Sequence, residues 1–241
     1  NGSSWSAPQN LTAPTGVTGE GSPALAACLS TQVGCPAGGA VTAVWLRDVA
    51  GDLGLRQFRL FYATYQGGFW SAEQAVDPAS TATDSEPTAA YSSGTPVVLW
   101  VRDADRDLGT LNDRLAAYRY LSSGGPVVLV GDLPSGLSEP SLAVTASGGL
   151  RLAFTLAASP EDFTGNQRQL YSASQICGES CTWQVQPLSD NHGRPIHAES
   201  PSLALDKSCS GAITYRALGF GPLAGGGTES FPEDSLGVIS G

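Results

Sequence analysis

Short runs in which apolar or aromatic positions alternate with small or polar ones cover most of the chain. The alternation is plainest in Phe58-Arg-Leu-Phe-Tyr-Ala-Thr-Tyr65 and in Leu115-Ala-Ala-Tyr-Arg-Tyr-Leu121. A period of two puts successive side chains on opposite faces, so these runs predict β-strands with two unlike faces. No long segment carries apolar residues at helical spacing. The runs come in sets of four (A to D), and each set opens near a proline: Pro23, Pro87, Pro140 and Pro201. These prolines lie roughly 60 residues apart, a period that marks a repeat architecture.

The first set predicts strands at 23–28, 40–46 and 57–65, with a fourth beginning at Trp70. The second predicts strands beginning at Pro87, then 97–101, 114–121 and 127–130. The third begins at Pro140 and continues through 150–155 and 167–175, with its last strand starting at Trp183. The final set has A at 201–205, B at 212–217 and C at 235–240, but no D. The missing piece stands at the other end of the chain. Ser4-Trp-Ser-Ala-Pro-Gln-Asn-Leu11 matches Trp70-Ser-Ala-Glu-Gln-Ala-Val76, and Trp5, Trp70 and Trp183 stand 18, 17 and 18 residues before their prolines.

Four antiparallel strands per repeat predict an all-β fold, a β-propeller of four blades. The expected blades are 22–83, 84–137, 138–199 and 200–241 with 1–14, the N-terminal strand closing the last one and covering its edge. The Ser-Glu-Pro before strand A, the Trp100-Val-Arg-Asp103 ending B, the tyrosine-rich C strand and the entry Gly67-Gly-Phe-Trp-Ser71 to D resemble the repeats of bacterial sialidase-like (BNR-type) propellers, without their Asp-boxes. The resemblance implies a propeller and, as one option, action on glycans.

Composition narrows the partners. The formal net charge of −10, with Lys207 the one lysine, excludes nucleic acid and anionic membranes, which need a cationic surface. No apolar run approaches the roughly 20 residues that span a bilayer. The chain begins at Asn1 and lacks methionine, which fits a processed chain or a fragment. Cys177 and Cys181 bracket one tight turn and Cys28 and Cys35 another. Both spacings predict hairpin disulfides and an extracellular or cell-surface setting. Cys209 is left either free or as a rival partner for Cys28 or Cys35.

Three constellations are candidates for chemistry. Asp103, Asp105, Asp107 and Asp113 place carboxylates in the second B–C loop, as a calcium site requires; a solvated turn is the alternative. Arg47, Arg102 and Arg216 fall near the ends of B strands and would grip a carboxylate if they converged, whereas local ion pairs would explain them singly. His192 and His197 lie in the D–A connection before Pro201, with no nucleophile to pair with them. The face carrying the B–C and D–A loops is acidic and holds these groups, so it is the expected ligand face. The functional expectation is a secreted binding or scaffold propeller for a protein or glycan ligand. The alternatives are a sialidase-like glycan hydrolase and a subunit that self-associates through its N-terminal strand.

Overall fold

The computed structural model describes residues 9–12, 19–50, 57–105, 114–121, 125–157, 168–177, 181–190, 192–206, 210–217, 221–222, 228–229 and 236–240, with backbone alone from 217 onward. The described residues form strands, turns and loops, with no helix among them. Four antiparallel meanders follow one another. The first comprises β1 (Glu20–Cys28), β2 (Ala40–Asp48), β3 (Phe58–Gln66) and an outer edge in two pieces, β4 (Phe69–Trp70) and β5 (Gln74–Ala75). The second is β6 (Thr83–Ser92), β7 (Thr95–Asp103), β8 (Arg114–Tyr120) and β9 (Val128–Leu129). The third is β10 (Leu137–Val144), β11 (Leu150–Ala157), β12 (Arg168–Cys177) and β13 (Cys181–Pro187). In the fourth, β14 (Ala198–Leu205) and β15 (Gly211–Ala217) are separated from β18 (Leu236–Ser240) by a short pairing of β16 (Gly221–Pro222) with β17 (Thr228–Glu229).

Each A strand starts three or four residues before the expected proline. Proline cannot donate to a ladder, so it reads as the first residue of a strand. Here it sits instead in a bulge. The register shifts between Gly21 and Ala24, Ser85 and Thr88, Ser138 and Ser141, and Glu199 and Ser202. The residue before each proline takes a positive φ: 46° at Ser22, 50° at Glu86, 53° at Glu139 and 51° at Ser200. Two residues of the A strand then oppose fewer on B, so the proline's missing N–H costs no ladder bond.

The sheets pack face to face in chain order. Val44, Leu46 and Leu60 of the first meet Val98, Trp100 and Ala117 of the second. Val97, Leu99 and Val101 on the second sheet's other face share a core with Leu150, Leu152 and Phe154 of the third. Ala153 and Leu170 of the third meet Ile213 of the fourth. Trp100 and Phe154 are completely buried, and truncating either to alanine typically costs about 3–5 kcal/mol. The A strands stand side by side along one line, β1 against β6, β6 against β10 and β10 against β14. This is the succession of inner strands in a propeller-like array. No comparable contact joins β14 to β1 among the described residues.

The two hairpin disulfides are present. Cys28 is bonded to Cys35, and Cys177 to Cys181 across the end of β12 and β13. Cys209 and Trp5 lie outside the described residues, and with them the rival pairing and the placement of Trp5 beside β18.

Candidate functional site

The bulges bring side chains of adjacent sheets together. Glu86 and Glu139 occupy the same position on β6 and β10, one residue before proline with φ near 50°. The backbone N–H of Glu139 donates to Glu86 Oε2. One sheet further on, the N–H of Ser200 donates to Glu139 Oε2 at 2.9 Å. Three residues beyond the bulge a second rung repeats the step. Leu142 N–H donates to Thr88 Oγ1 at 3.1 Å, and Leu203 N–H to Ser141 Oγ at 2.9 Å. An N–H directed out of a bulge finds no partner in its own ladder, so an acceptor on the preceding inner strand satisfies it.

The two carboxylates have different surroundings. Arg114, from the start of β8, donates through Nη2 to Glu86 Oε1 at 2.9 Å and to Ser85 Oγ at 3.1 Å. Its side chain is 10% exposed and that of Glu86 31%. Glu86 thus has a guanidinium on one oxygen and a peptide N–H on the other. Glu139 meets neutral donors, with Thr155 Oγ1 at 3.2 Å from Oε2 beside the N–H of Ser200. Both carboxylates are half-buried. The N–H of Glu139 touches Glu86, so the two carboxyl groups are no farther apart than one hydrogen bond plus the reach of one glutamate side chain. That limit lies within the roughly 9.5 Å spanned by the paired carboxyls of glycosidases.

The three arginines are each held by acids of their own neighbourhood. Arg47 forks between Glu20 and Glu73, both at 2.7 Å, and its guanidinium lies 4.4 Å from the centre of the Phe61 ring. The bond to Glu73 is the largest effect on Arg47 and raises its pKa further. Arg102 bridges Asp77 at 2.8 Å and Asp84 at 2.9 Å, and Asp84 also accepts from Trp100 Nε1 at 2.9 Å. Burial pushes the Asp84 carboxyl above its ordinary value, against the pull of Arg102. The same burial would lower Arg102, but its bonds to Asp84 and Asp77 outweigh it. Arg216 pairs with Glu199 at 2.7 Å and is 52% exposed. It stands one residue out of step. Arg47 and Arg102 lie opposite Glu20 and Asp84, whereas Arg216 shares the row of Val101 and Thr155. A shift of one residue turns a strand side chain to the other face.

Of the four aspartates proposed for calcium, Asp103 is buried at the end of β7, opposite Arg114, and Asp105 follows it. Asp107 and Asp113 lie outside the described residues. No group of three or more His, Cys, Asp or Glu suited to a metal occurs among the described residues. His192 is exposed, and its backbone N–H donates to Asp190 Oδ1 at 2.8 Å. His197 is half-buried beside Gln169, with Nδ1 buried and unbonded. In the sequence Glu86 and Glu139 stand only as the middle residue of the Ser-Glu-Pro before strand A, with nothing to pair them. The signal available was the Glu-Pro repeated in the two middle sets, where the outer two have Ser-Pro.

No protein-family model matches the chain, and no curated protein matches it. Among solved structures it is similar to a xylan beta-1,4-xylosidase from Bacillus halodurans C-125, with 11% identity, a TM-score of 0.48, and coverage of 83% of this chain and 39% of that one. An endo-arabinase from Bacteroides thetaiotaomicron VPI-5482 aligns at 12% identity and a TM-score of 0.46, over 83% of this chain and 70% of that one. The GH43_1 enzyme from Xanthomonas citri complexed with xylotriose gives the same identity, score and coverage. No helix long and apolar enough to cross a membrane occurs among the described residues.

Proposed function

We propose that the chain is a secreted four-bladed β-propeller that hydrolyses glycosidic bonds, with Glu86 and Glu139 as its carboxyl pair. The observation that carries this reading is their placement on adjacent inner strands in unlike surroundings. Cleaving an acetal needs a proton delivered to the departing oxygen and an anion that supports the positive charge growing on the sugar. Glu139, whose donors are neutral, takes the first role. Glu86, facing Arg114, takes the second, either as nucleophile or as the base that activates water. Arg114 is a positioning residue: it holds Glu86 against Ser85 and touches no reacting atom.

The bulge itself does not require an acid. Ser22 and Ser200 adopt the same positive φ without a carboxylate. The acids in the two middle strands therefore have a use beyond the backbone turn. The anionic surroundings favour a neutral glycan over a uronic or sialic one, because like charges repel across a short distance.

A non-catalytic binding or scaffold propeller is the competing reading. It is favoured by the bonds that Glu86 and Glu139 make to the next strand's N–H, which would suffice as structural caps. Reducing-sugar release from a panel of neutral polysaccharides and aryl glycosides separates the two. Hydrolysis that is lost in E86Q and in E139Q supports the hydrolase. A panel with no turnover, beside variants that bind a glycan as the wild type does, supports the scaffold. The two disulfides suit secretion, and their loss on reduction with a fall in melting temperature is the corresponding test.

A further inference from the structure

The junctions between successive sheets are filled alike in the first two places and differently in the third. The residue after each bulge proline fixes the equivalence: Ala24, Thr88 and Ser141 lie opposite Val44, Leu99 and Ala153. On the next strand these face Tyr62, Tyr118 and Ser172. Two residues further along, the second sheet has Tyr120 and the third has Ser174. Tyr62 and Tyr118 pack into the cores shared with the following sheet, and Tyr120 lies against the second of those cores. The sheet across the third junction is depleted too. Leu150 of the third sheet is buried against the second, whereas the fourth sheet has Gly211 at that place.

Where tyrosine and leucine fill the second junction, the third holds a cavity of about 320 Å³, within the size range of ligand pockets. Its two walls differ. On the third sheet Arg151, Ser174 and Gln184 form one cross-strand row, and Ser172 and Gln186 belong to the next. On the fourth sheet the wall is Leu203, Leu205 and Ile213. A cavity of about 380 Å³ adjoins the first, shares Arg151 and Gln186 with it, and extends the groove past Ser174 and Gln184. None of the five polar side chains has a hydrogen bond or ion pair among the described residues. Arg47, Arg102, Arg114, Arg194 and Arg216 are all held by acids, but no described Asp or Glu lines either cavity beside Arg151.

We propose that this groove binds an acidic sugar unit of a glycan, a pyranose that carries a carboxylate. Arg151 takes the carboxylate in the forked geometry a guanidinium offers. The serine hydroxyls and glutamine amides, each able to donate and to accept, take the ring hydroxyls. The leucine and isoleucine wall covers the C–H face of the ring. A plain aliphatic or aromatic carboxylate would occupy Arg151 alone and strip water from four polar side chains without replacing it, which is unfavourable. The groove is separate from Glu86 and Glu139, which line neither cavity, so its occupancy is read by binding whether or not the chain cleaves glycans.

The test is titration of the full chain at neutral pH with three probes: a galacturonate trisaccharide, the matching neutral galactose trisaccharide, and benzoate as a carboxylate without hydroxyls. Calorimetry gives the affinities, and NMR follows the side-chain amides of Gln184 and Gln186. The expected result is saturable shifts of both amides with the galacturonate, and affinities lower by roughly tenfold or more for the other two probes, each of which lacks one half of the match. In variants shown by melting to be folded, Arg151→Gln should weaken galacturonate binding to the level of the neutral trisaccharide. Ser172→Tyr, which installs the residue of the first two sheets, should block it. Gln184→Ala, at the exposed end of the wall, gives the same reading of lost affinity without filling the cavity. Equal binding of the neutral trisaccharide or of benzoate would overturn the assignment. So would amides that stay still with every probe, or Arg151→Gln and Gln184→Ala variants that bind galacturonate as the wild type does.

Discussion

The N–H of Ser200 reaches Glu139 Oε2 at 2.9 Å, joining the strained bulge of one inner strand to the carboxylate of the one before it. Glu139→Ala removes the acceptor for this N–H, while the Thr155 hydroxyl keeps the Ser138 carbonyl at 3.3 Å. Ser200 is exposed, so water can replace the lost acceptor and the cost is that of one ordinary hydrogen bond, about 0.5–1.5 kcal/mol. Glu139→Gln keeps an acceptor oxygen and should cost less than about 1 kcal/mol. Urea denaturation of both variants checks the difference, and it decides whether the glutamine variant is a clean probe of activity.

Asp84 is the acceptor for both Trp100 Nε1 and Arg102 Nε, and it is almost completely buried. Asp84→Ala leaves the buried Trp100 Nε1 without its acceptor and Arg102 with Asp77 alone, for a loss of about 1–3 kcal/mol measured by chemical denaturation. The pH dependence has a definite sign. Burial raises the folded-state carboxyl above its ordinary 3.8, so the folded chain holds this proton more tightly than the unfolded one. The contribution of Asp84 is fully present below the ordinary value and is lost as pH rises through the raised one. Stability measured across that window should therefore fall more steeply with pH in the wild type than in Asp84→Asn.

Asp190 behaves in the opposite way. Its carboxylate accepts from the backbone N–H of Arg194 at 2.9 Å, from the Arg194 side chain at 2.7 Å and from the N–H of His192 at 2.8 Å. The backbone bond from Arg194 is the largest of the effects that hold it below its ordinary 3.8. The order this gives the loop is present above the ordinary value and is lost as pH falls through the lowered one. Amide shifts of His192 and Arg194 followed by NMR should move together in that acid range and stay flat in Asp190→Asn.

Gly94 takes a φ of 80°, and a Cβ there would run into the backbone of Gly34 in the Cys28–Cys35 loop. Gly94→Ala combines a strained conformation with a backbone clash and should cost at least about 1–3 kcal/mol in thermal or denaturant unfolding. The substitution should also ease reduction of the Cys28–Cys35 bond, which partial-reduction mapping would detect.

The strand runs, their grouping in fours and both disulfides were legible in the sequence, because period-two alternation and short Cys spacings are local signals. What was not legible depends on register. Pro87 and Pro140 read as strand starts, whereas the ladder begins at Thr83 and Leu137 and passes through a bulge. Arg216 looked equivalent to Arg47 and Arg102 by its distance from a strand end, yet one residue of shift puts it on the other face beside Glu199. Glu86 and Glu139 are 53 residues apart, and only the packing of β6 against β10 makes one carboxylate the acceptor for the other's N–H.

The most direct test of the account is the rate of glycoside cleavage as a function of leaving group. It would be run on wild type, E86Q and E139Q shown by melting to be folded, with a neutral polysaccharide and an activated aryl glycoside of the same sugar. If Glu139 delivers the proton, E139Q should lose roughly 10²–10⁴-fold on the polysaccharide and much less on the aryl glycoside, whose departing phenolate needs no proton. E86Q should lose activity on both. Equal rates in all three proteins, or no cleavage of any substrate by the wild type, would contradict the assignment and leave Glu86 and Glu139 as caps between inner strands.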